Sequence, residues 1–169
     1  DIELPTTYQP NSVGFSGILS GSTRTWSAFS NSATISGTAA SKAKIDIGDA
    51  VRTGSQKYAT ASVTEQSAGG LFDGLSGQAL INDIELHGTL TLPKMTEGSD
   101  VTEVLYTGGL VGGAYKSTKL LMNGVDNYID INAAGHGYAA GLVGANPRPI
   151  FTDCYNYGDI TCGSGAAGI

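Results

Sequence analysis

Charge is scarce in this chain. Only 14% of its 169 residues are Asp, Glu, Lys or Arg, and the net charge is −6. The nine basic residues are scattered, whereas a nucleic-acid binder clusters its cations against phosphate. No nucleic-acid partner is therefore expected, and a charge-rich disordered tail is excluded on the same ground. Cysteine is almost absent: Cys154 and Cys162 cannot build a disulfide framework, and their redox state stays open. The only histidines, His87 and His136, stand far apart. No Cys/His cluster suggests zinc. No apolar run approaches the roughly 18–20 residues of a membrane helix, so no span is expected in this segment. Asn-x-Ser/Thr glycosylation sites are missing. The chain opens on Asp1, as after removal of a leader.

Glycine is abundant, at 25 residues, without a collagen-like period of three. It marks a returning phrase of one glycine, two apolar residues and then small residues. The copies are Gly17-Ile18-Leu19-Ser20-Gly21, Gly70-Leu71-Phe72-Asp73-Gly74, Gly109-Leu110-Val111-Gly112-Gly113 and Gly141-Leu142-Val143-Gly144-Ala145. A fifth copy begins at Gly168-Ile169, which predicts that the array continues into further repeats or domains. Self-similarity of this kind is the signature of a repeat architecture.

An alternating segment follows each phrase. Aligned on Ile35, Leu90, Ile131 and Ile160, every second residue forms an inward column. These columns are Phe29/Ile84/Val125/Cys154, Asn31/Leu86/Asn127/Asn156, Ala33/Gly88/Ile129/Gly158 and Gly37/Leu92/Ala133/Cys162. The residues between them are polar or amphipathic: Ser30/Glu85/Asp126/Tyr155, Ser32/His87/Tyr128/Tyr157, Thr34/Thr89/Asp130/Asp159 and Ser36/Thr91/Asn132/Thr161. Period-two alternation indicates half-buried strands; a helical period would scramble the columns. Four such strands with Gly-rich returns predict an all-β fold, a parallel β-solenoid whose coils stack in register. Stacked asparagines can form an amide ladder, which Leu86 interrupts. The glycines are expected where positive φ or close backbone approach is needed.

We read residues 1–169 as a single domain. Its repeats lie near 13–37, 67–92, 107–133 and 139–162, and the fifth begins at 163. The core phrase is constant while the spacing shrinks along the chain, which predicts insertions at 38–66 and 93–104. The first insertion contains two strand-like runs, Lys44–Ile47 and Tyr58–Thr64, and is expected to form a hairpin or loop on the flank. The second carries Glu97, Asp100 and Glu103. Insertions in repeat arrays often collect on a binding face.

Gly108-Gly109-Leu110-Val111-Gly112 and Ala140-Gly141-Leu142-Val143-Gly144, with Asp153-Cys154-Tyr155-Asn156-Tyr157-Gly158-Asp159-Ile160-Thr161 after the latter, resemble the GLUG motif. That repeat occurs in large secreted and surface-anchored bacterial proteins, including adhesin-like proteins and some immunoglobulin-A peptidases. The resemblance covers most of residues 13–169 outside the insertions; Ile18-Leu19 replaces the usual Leu-Val in the first copy. It implies a right-handed parallel β-solenoid (a β-helix) and an extracellular setting. It carries over no catalytic residue, and the His-Glu-x-x-His signature of those peptidases is absent.

Gly163-Ser164-Gly165-Ala166-Ala167-Gly168 fits a dinucleotide-binding pattern, but no helix or ribose-binding acid follows, so it reads as a repeat corner. Asp130 and Asp159 share an outward column and would stand about 5 Å apart, near a retaining-glycosidase spacing. Glu85 and Asp126 pair in the same way. These pairs read either as catalytic carboxylates or as a solvated polar face with weak surface Ca²⁺ affinity. Tyr128, Tyr155, Tyr157 and His87 form an outward aromatic stack, able to bind sugar or protein or simply to stabilise the sheet. Cys154 and Cys162 face inward, as buried thiols.

The function expected is a non-catalytic structural and adhesive segment of a secreted or surface protein, without a cofactor. Glycan or a host or cell-surface protein would be its partner. The candidate binding residues are Tyr128, Tyr155, Tyr157, Asp126, Asp130 and Asp159. The alternatives are a carbohydrate-active β-helix enzyme (glycosidase or lyase) and an accessory region of a secreted peptidase.

Overall fold

The computed structural model describes residues 2–3, 17–19, 22–26, 32–36, 42–51, 56–59, 64–75, 78–92, 104–114, 119–145 and 148–169. These residues contain strands and turns and no helix. The chain begins with β1 (Ile2–Glu3), β2 (Gly17–Leu19), β3 (Ser22–Trp26), β4 (Ser32–Ser36), β5 (Ala43–Val51) and β6 (Gln56–Ala59). A three-strand order then recurs. It runs β7 (Thr64–Gly69), β8 (Phe72–Leu75), β9 (Gln78–Thr91), and again β10 (Tyr106–Gly108), β11 (Val111–Ala114), β12 (Lys119–Ala133). The third pass is β13 (Tyr138–Ala140), β14 (Val143–Ala145), then β15 (Pro149–Thr152), β16 (Tyr155–Asn156) and β17 (Ile160–Cys162); β18 (Gly165–Ala167) opens a fourth.

Like pairs with like, in parallel. One ladder is β7–β10–β13–β18, with Ser67, Tyr106, Tyr138 and Gly165 side by side. A second is β8–β11–β14, aligning Phe72, Val111 and Val143. The third and longest sets β9 beside β12, and β12 beside β15, β16 and β17. Its register joins Leu90, Ile131 and Ile160, and also Leu86, Asn127 and Asn156. For these three passes the columns read from alternation are the columns observed. The inward members Ile84, Leu86, Leu90, Val125, Asn127, Ile129 and Ile131 are buried, and most of them join one apolar cluster with Leu71, Leu110 and Leu142. Each fully buried leucine contributes about 1.5–3 kcal/mol.

The glycine phrase forms the corner between the first and second ladders. Leu110 O accepts from the N–H groups of both Leu71 and Phe72; Leu142 O accepts likewise from Leu110 and Val111. Close approach, rather than positive φ, requires glycine here. A Cβ at Gly70 would lie 2.1 Å from Gly109 O, one at Gly109 would lie 2.1 Å from Gly141 O, and one at Gly141 would lie 2.2 Å from Gly168 O. The asparagines close over the same corners. The Oδ1 atoms of Asn127 and Asn156 would meet Cβ atoms at Gly109 and Gly141, at 2.7 and 2.3 Å. Asn127 Nδ2 donates to Asn156 Oδ1 at 2.7 Å, and Asn156 Nδ2 donates to Gly158 O at 2.8 Å. The amide ladder thus exists between these two passes, with Leu86 in the preceding place.

The first copy of the repeat departs from its expected position. Gly17–Leu19 pairs antiparallel with β3, and β3 pairs antiparallel with β4. Strand β4 runs beside Gln78–Asn82, so Ile35 faces Ile81 rather than Leu90. The place opposite Ile84–Thr91 belongs to β5, from the segment expected as a flanking insertion. The physical reason is apolar content. Ala43, Ile45, Ile47 and Ala50 of β5 are buried in the core, whereas Ser32–Ser36 offers only Ala33 and Ile35. A bulge lets β5 fit: Gly48 (φ 61) and Gly88 (φ 118) take left-handed conformations, and Gly48 N donates to Asp46 Oδ1. The hairpin does occur, but it joins β6 to β7. Phe29, Ser30, Asn31 and Gly37, and the acids Glu97, Asp100 and Glu103, lie outside the described residues.

Candidate functional site: the outward face of the long ladder

Cross-strand register turns the outward positions of β5, β9, β12 and β16–β17 into a grid. Its rows are Lys44/Glu85/Asp126/Tyr155, Asp46/His87/Tyr128/Tyr157, Asp49/Thr89/Asp130/Asp159 and Val51/Thr91/Asn132/Thr161. Three rings of the second row stack face to face. His87 and Tyr128 lie 4.8 Å apart at 9°, and Tyr128 and Tyr157 lie 4.8 Å apart at 14°. Both faces of Tyr128 are therefore occupied. Tyr155 stands off, 6.2 Å from Tyr157 at 27°, and is 51% exposed. A shorter stack, Tyr106 on Tyr138, occupies the first ladder.

The carboxylates separate into different roles. Asp126 is placed on the outward side but is buried, with Oδ2 on Lys42 Nζ and Oδ1 unpartnered among the described residues. Burial lowers the Lys42 pKa, but the hydrogen bond and charge of Asp126, with Glu85, outweigh it and hold the ammonium above its ordinary 10.5. Removal from water, then the charge of Asp126, raises the Tyr128 phenol above its ordinary 10.0. Glu85 Oε2 lies 3.1 Å from His87 Nε2. Asp130 Oδ1 accepts the Asp159 N–H at 2.8 Å, so it pins the neighbouring strand. Asp49 Oδ1 accepts from the Thr89 hydroxyl at 2.7 Å. Asp130 and Asp159 are brought together, but through a backbone bond. Among the described residues no group of three His, Cys, Asp or Glu side chains is placed to hold a metal ion.

The thiols are distinct. Cys154 is buried, donates to Thr152 O at 3.2 Å, and has its pKa raised by removal from water. Cys162 is half-buried. His136 is buried, and its Nδ1 accepts the Val104 N–H at 3.0 Å, fixing the proton on Nε2.

Alternation alone did not reveal one part of this face. Asp83 (φ 51), Gly124 (φ 65) and Asp153 (φ 47) occupy one register position in successive strands, all left-handed. The extra residue flips the phase: Leu120 and Met122 are buried before the bend, and Val125, Asn127 and Ile129 after it. The bend creates a cavity of about 240 Å³, lined by Lys42, Asp83, Asn123, Gly124, Asp153 and Tyr155. The available signal was the recurrence of Asp, Gly and Asp, which tolerate left-handed backbone, one position before the Ile84/Val125/Cys154 column. Beyond the bend, Leu80, Leu121 and Ile150 align as an exposed aliphatic stripe.

Comparison with protein-family models, curated proteins and solved structures returns no match. No helix among the described residues is long and apolar enough to cross a membrane.

Proposed function

We propose that this chain is a non-catalytic structural and adhesive segment of a secreted or surface-anchored bacterial protein, built as a right-handed parallel β-solenoid of GLUG-type repeats. The observation that carries the solenoid reading is the interlock of corner glycine and asparagine. Two successive passes use the same pair, Gly109 with Asn127 and Gly141 with Asn156, at equivalent places. Three parallel ladders visited in one fixed order support the same reading. A rigid stack of this kind suits a stalk or display surface. Glycan is the partner chemistry that its outward Tyr, Asp and Asn side chains favour.

The hydrogen bond from Asp159 N–H to Asp130 weighs against an acid–base pair, because an Asp130 oxygen is committed to the backbone. Glycan-array binding by the chain, with no release of reducing ends from the bound glycans, is the expected result. Turnover that disappears in Asp130→Asn or Asp159→Asn would overturn the non-catalytic reading in favour of a carbohydrate-active enzyme. Nuclear Overhauser contacts between backbones test the architecture: contacts joining Tyr106 to Tyr138 and Ile131 to Ile160 in parallel register are expected, and antiparallel pairing there refutes it.

A further inference from the structure

Both faces of Tyr128 are covered by neighbouring rings. A sugar packs its C–H face on an aromatic face, so the stacked column offers it only ring edges at this position. The binding chemistry lies one row away, at the bend. There the backbone turns left-handed in each of three adjacent strands. Asp and Gly both accept that conformation, so the bend recurs in register from strand to strand. Gly124 lets the Asp83 carboxylate lie close over its backbone at the edge of the hollow: a Cβ there would lie 2.5 Å from Asp83 Oδ1.

The lining supplies complementary groups. The Asp83 and Asp153 carboxylates accept from hydroxyls, the Asn123 amide both donates and accepts, and the Lys42 ammonium has donors beyond the one given to Asp126. Tyr155 borders the same hollow with a ring outside the tight stack. The volume is below the roughly 300–1,000 Å³ of pockets for drug-sized ligands, which limits the occupant to about one ring. Two lining carboxylates and the buried Asp126 outnumber Lys42, which disfavours an anionic sugar.

We propose that the hollow formed by Lys42, Asp83, Asn123, Gly124, Asp153 and Tyr155 is a binding site for one neutral pyranose unit of a glycan. Hydroxyls bind Asp83, Asn123 and Asp153, and the C–H face of the ring rests on Tyr155. This inference rests on the adhesive reading above and assigns its ligand contact to the bend rather than to the tyrosine column.

The test uses the 169-residue chain with methyl glycosides of glucose, galactose, mannose and N-acetylglucosamine, and with glucuronate as the anionic control. Saturation-transfer NMR detects binding and calorimetry measures affinity. At least one neutral glycoside binds without added Ca²⁺, and glucuronate does not. Asp83→Asn and Asp153→Asn each weaken binding roughly five- to tenfold by removing a charged acceptor. Asn accepts the left-handed backbone, so both variants keep their thermal unfolding midpoints. Tyr155→Ala weakens binding roughly tenfold, Tyr155→Phe restores it, and Tyr138→Ala, an exposed ring in the first ladder, leaves it unchanged. Binding only with Ca²⁺, or affinity that follows Tyr138 instead of Tyr155 and the two aspartates, overturns the site. If the glycan array is positive while Asp83→Asn and Asp153→Asn bind normally, the site fails and the adhesive reading survives. If no neutral glycoside binds and the array is blank, both fail.

Discussion

Asn127 gives the sharpest test of what holds successive passes together. Its side chain is fully buried. Nδ2 donates to Asn156 Oδ1 at 2.7 Å and to Ile129 O at 3.3 Å, and Oδ1 accepts from Ile129 N at 3.4 Å. Asn127→Ala removes one strong hydrogen bond and leaves Asn156 Oδ1 and the Ile129 backbone groups short of partners. One net hydrogen bond is about 1 kcal/mol, and each stranded buried group costs about 1–3 kcal/mol. The longer contacts count least, so the expected loss is about 2–4 kcal/mol. With a urea slope of roughly 2 kcal/mol/M, the middle of the range for small proteins, the midpoint falls by about 1–2 M and the slope stays constant. Asn127→Asp adds a pH signature. Its ionised carboxylate would face two acceptors, Asn156 Oδ1 and Ile129 O, so its folded pKa rises above the unfolded value of about 3.9. The folded state then holds the proton more tightly, and stability falls as pH rises from about 4. Measured against wild type at each pH, Asn127→Asp is worse at pH 7 than at pH 4, where the protonated acid can donate to Asn156. A loss below about 0.5 kcal/mol for Asn127→Ala, with no acid recovery for Asn127→Asp, would falsify the amide ladder as a stabilising element.

Further outcomes follow from the same geometry. Gly109→Ala forces a Cβ to 2.1 Å from Gly141 O and destabilises the fold severely; Gly168→Ala, with nothing within 4 Å, stays within about 0.5 kcal/mol of wild type. Timed iodoacetamide labelling followed by mass spectrometry finds Cys162 modified well before Cys154, because the buried Cys154 thiol has a raised pKa and little thiolate. Lys42 and Tyr128 both have folded pKa values above ordinary ones of 10.5 and 10.0. Their protonated forms are favoured in the folded state, so stability is retained below about pH 10 and falls as pH rises further. Denaturation at pH 9 and pH 11 shows this fall, and Tyr128→Phe reduces it.

Much of the ladder could be read from the chain alone. Within 84–92, 125–133 and 154–162 the alternation holds, and stacking in register sets equivalent positions side by side. Hence His87, Tyr128 and Tyr157 were placed together, as were Asn127 and Asn156. What escaped was the loss of phase at Asp83, Gly124 and Asp153, because one left-handed residue moves the buried side to the other parity. The first pass escaped for an energetic reason. Ser32–Ser36 carries the pattern, but Ile45 and Ile47 bring more apolar surface, and burial decides which strand lies beside β9. Asp126 was placed on the correct side, but its burial depends on Lys42, a residue 84 positions away in the sequence.

The ring column also makes the protein its own optical gauge. Aromatic chromophores held 4.8 Å apart and within 14° of parallel couple their electronic transitions. Near-ultraviolet circular dichroism from Tyr128 and Tyr157 therefore reports the spacing and registry of adjacent strands without a label. A slip of one residue between β12 and β16 would carry Tyr157 to the opposite side of the sheet and extinguish the coupled band, even if the total strand content were unchanged.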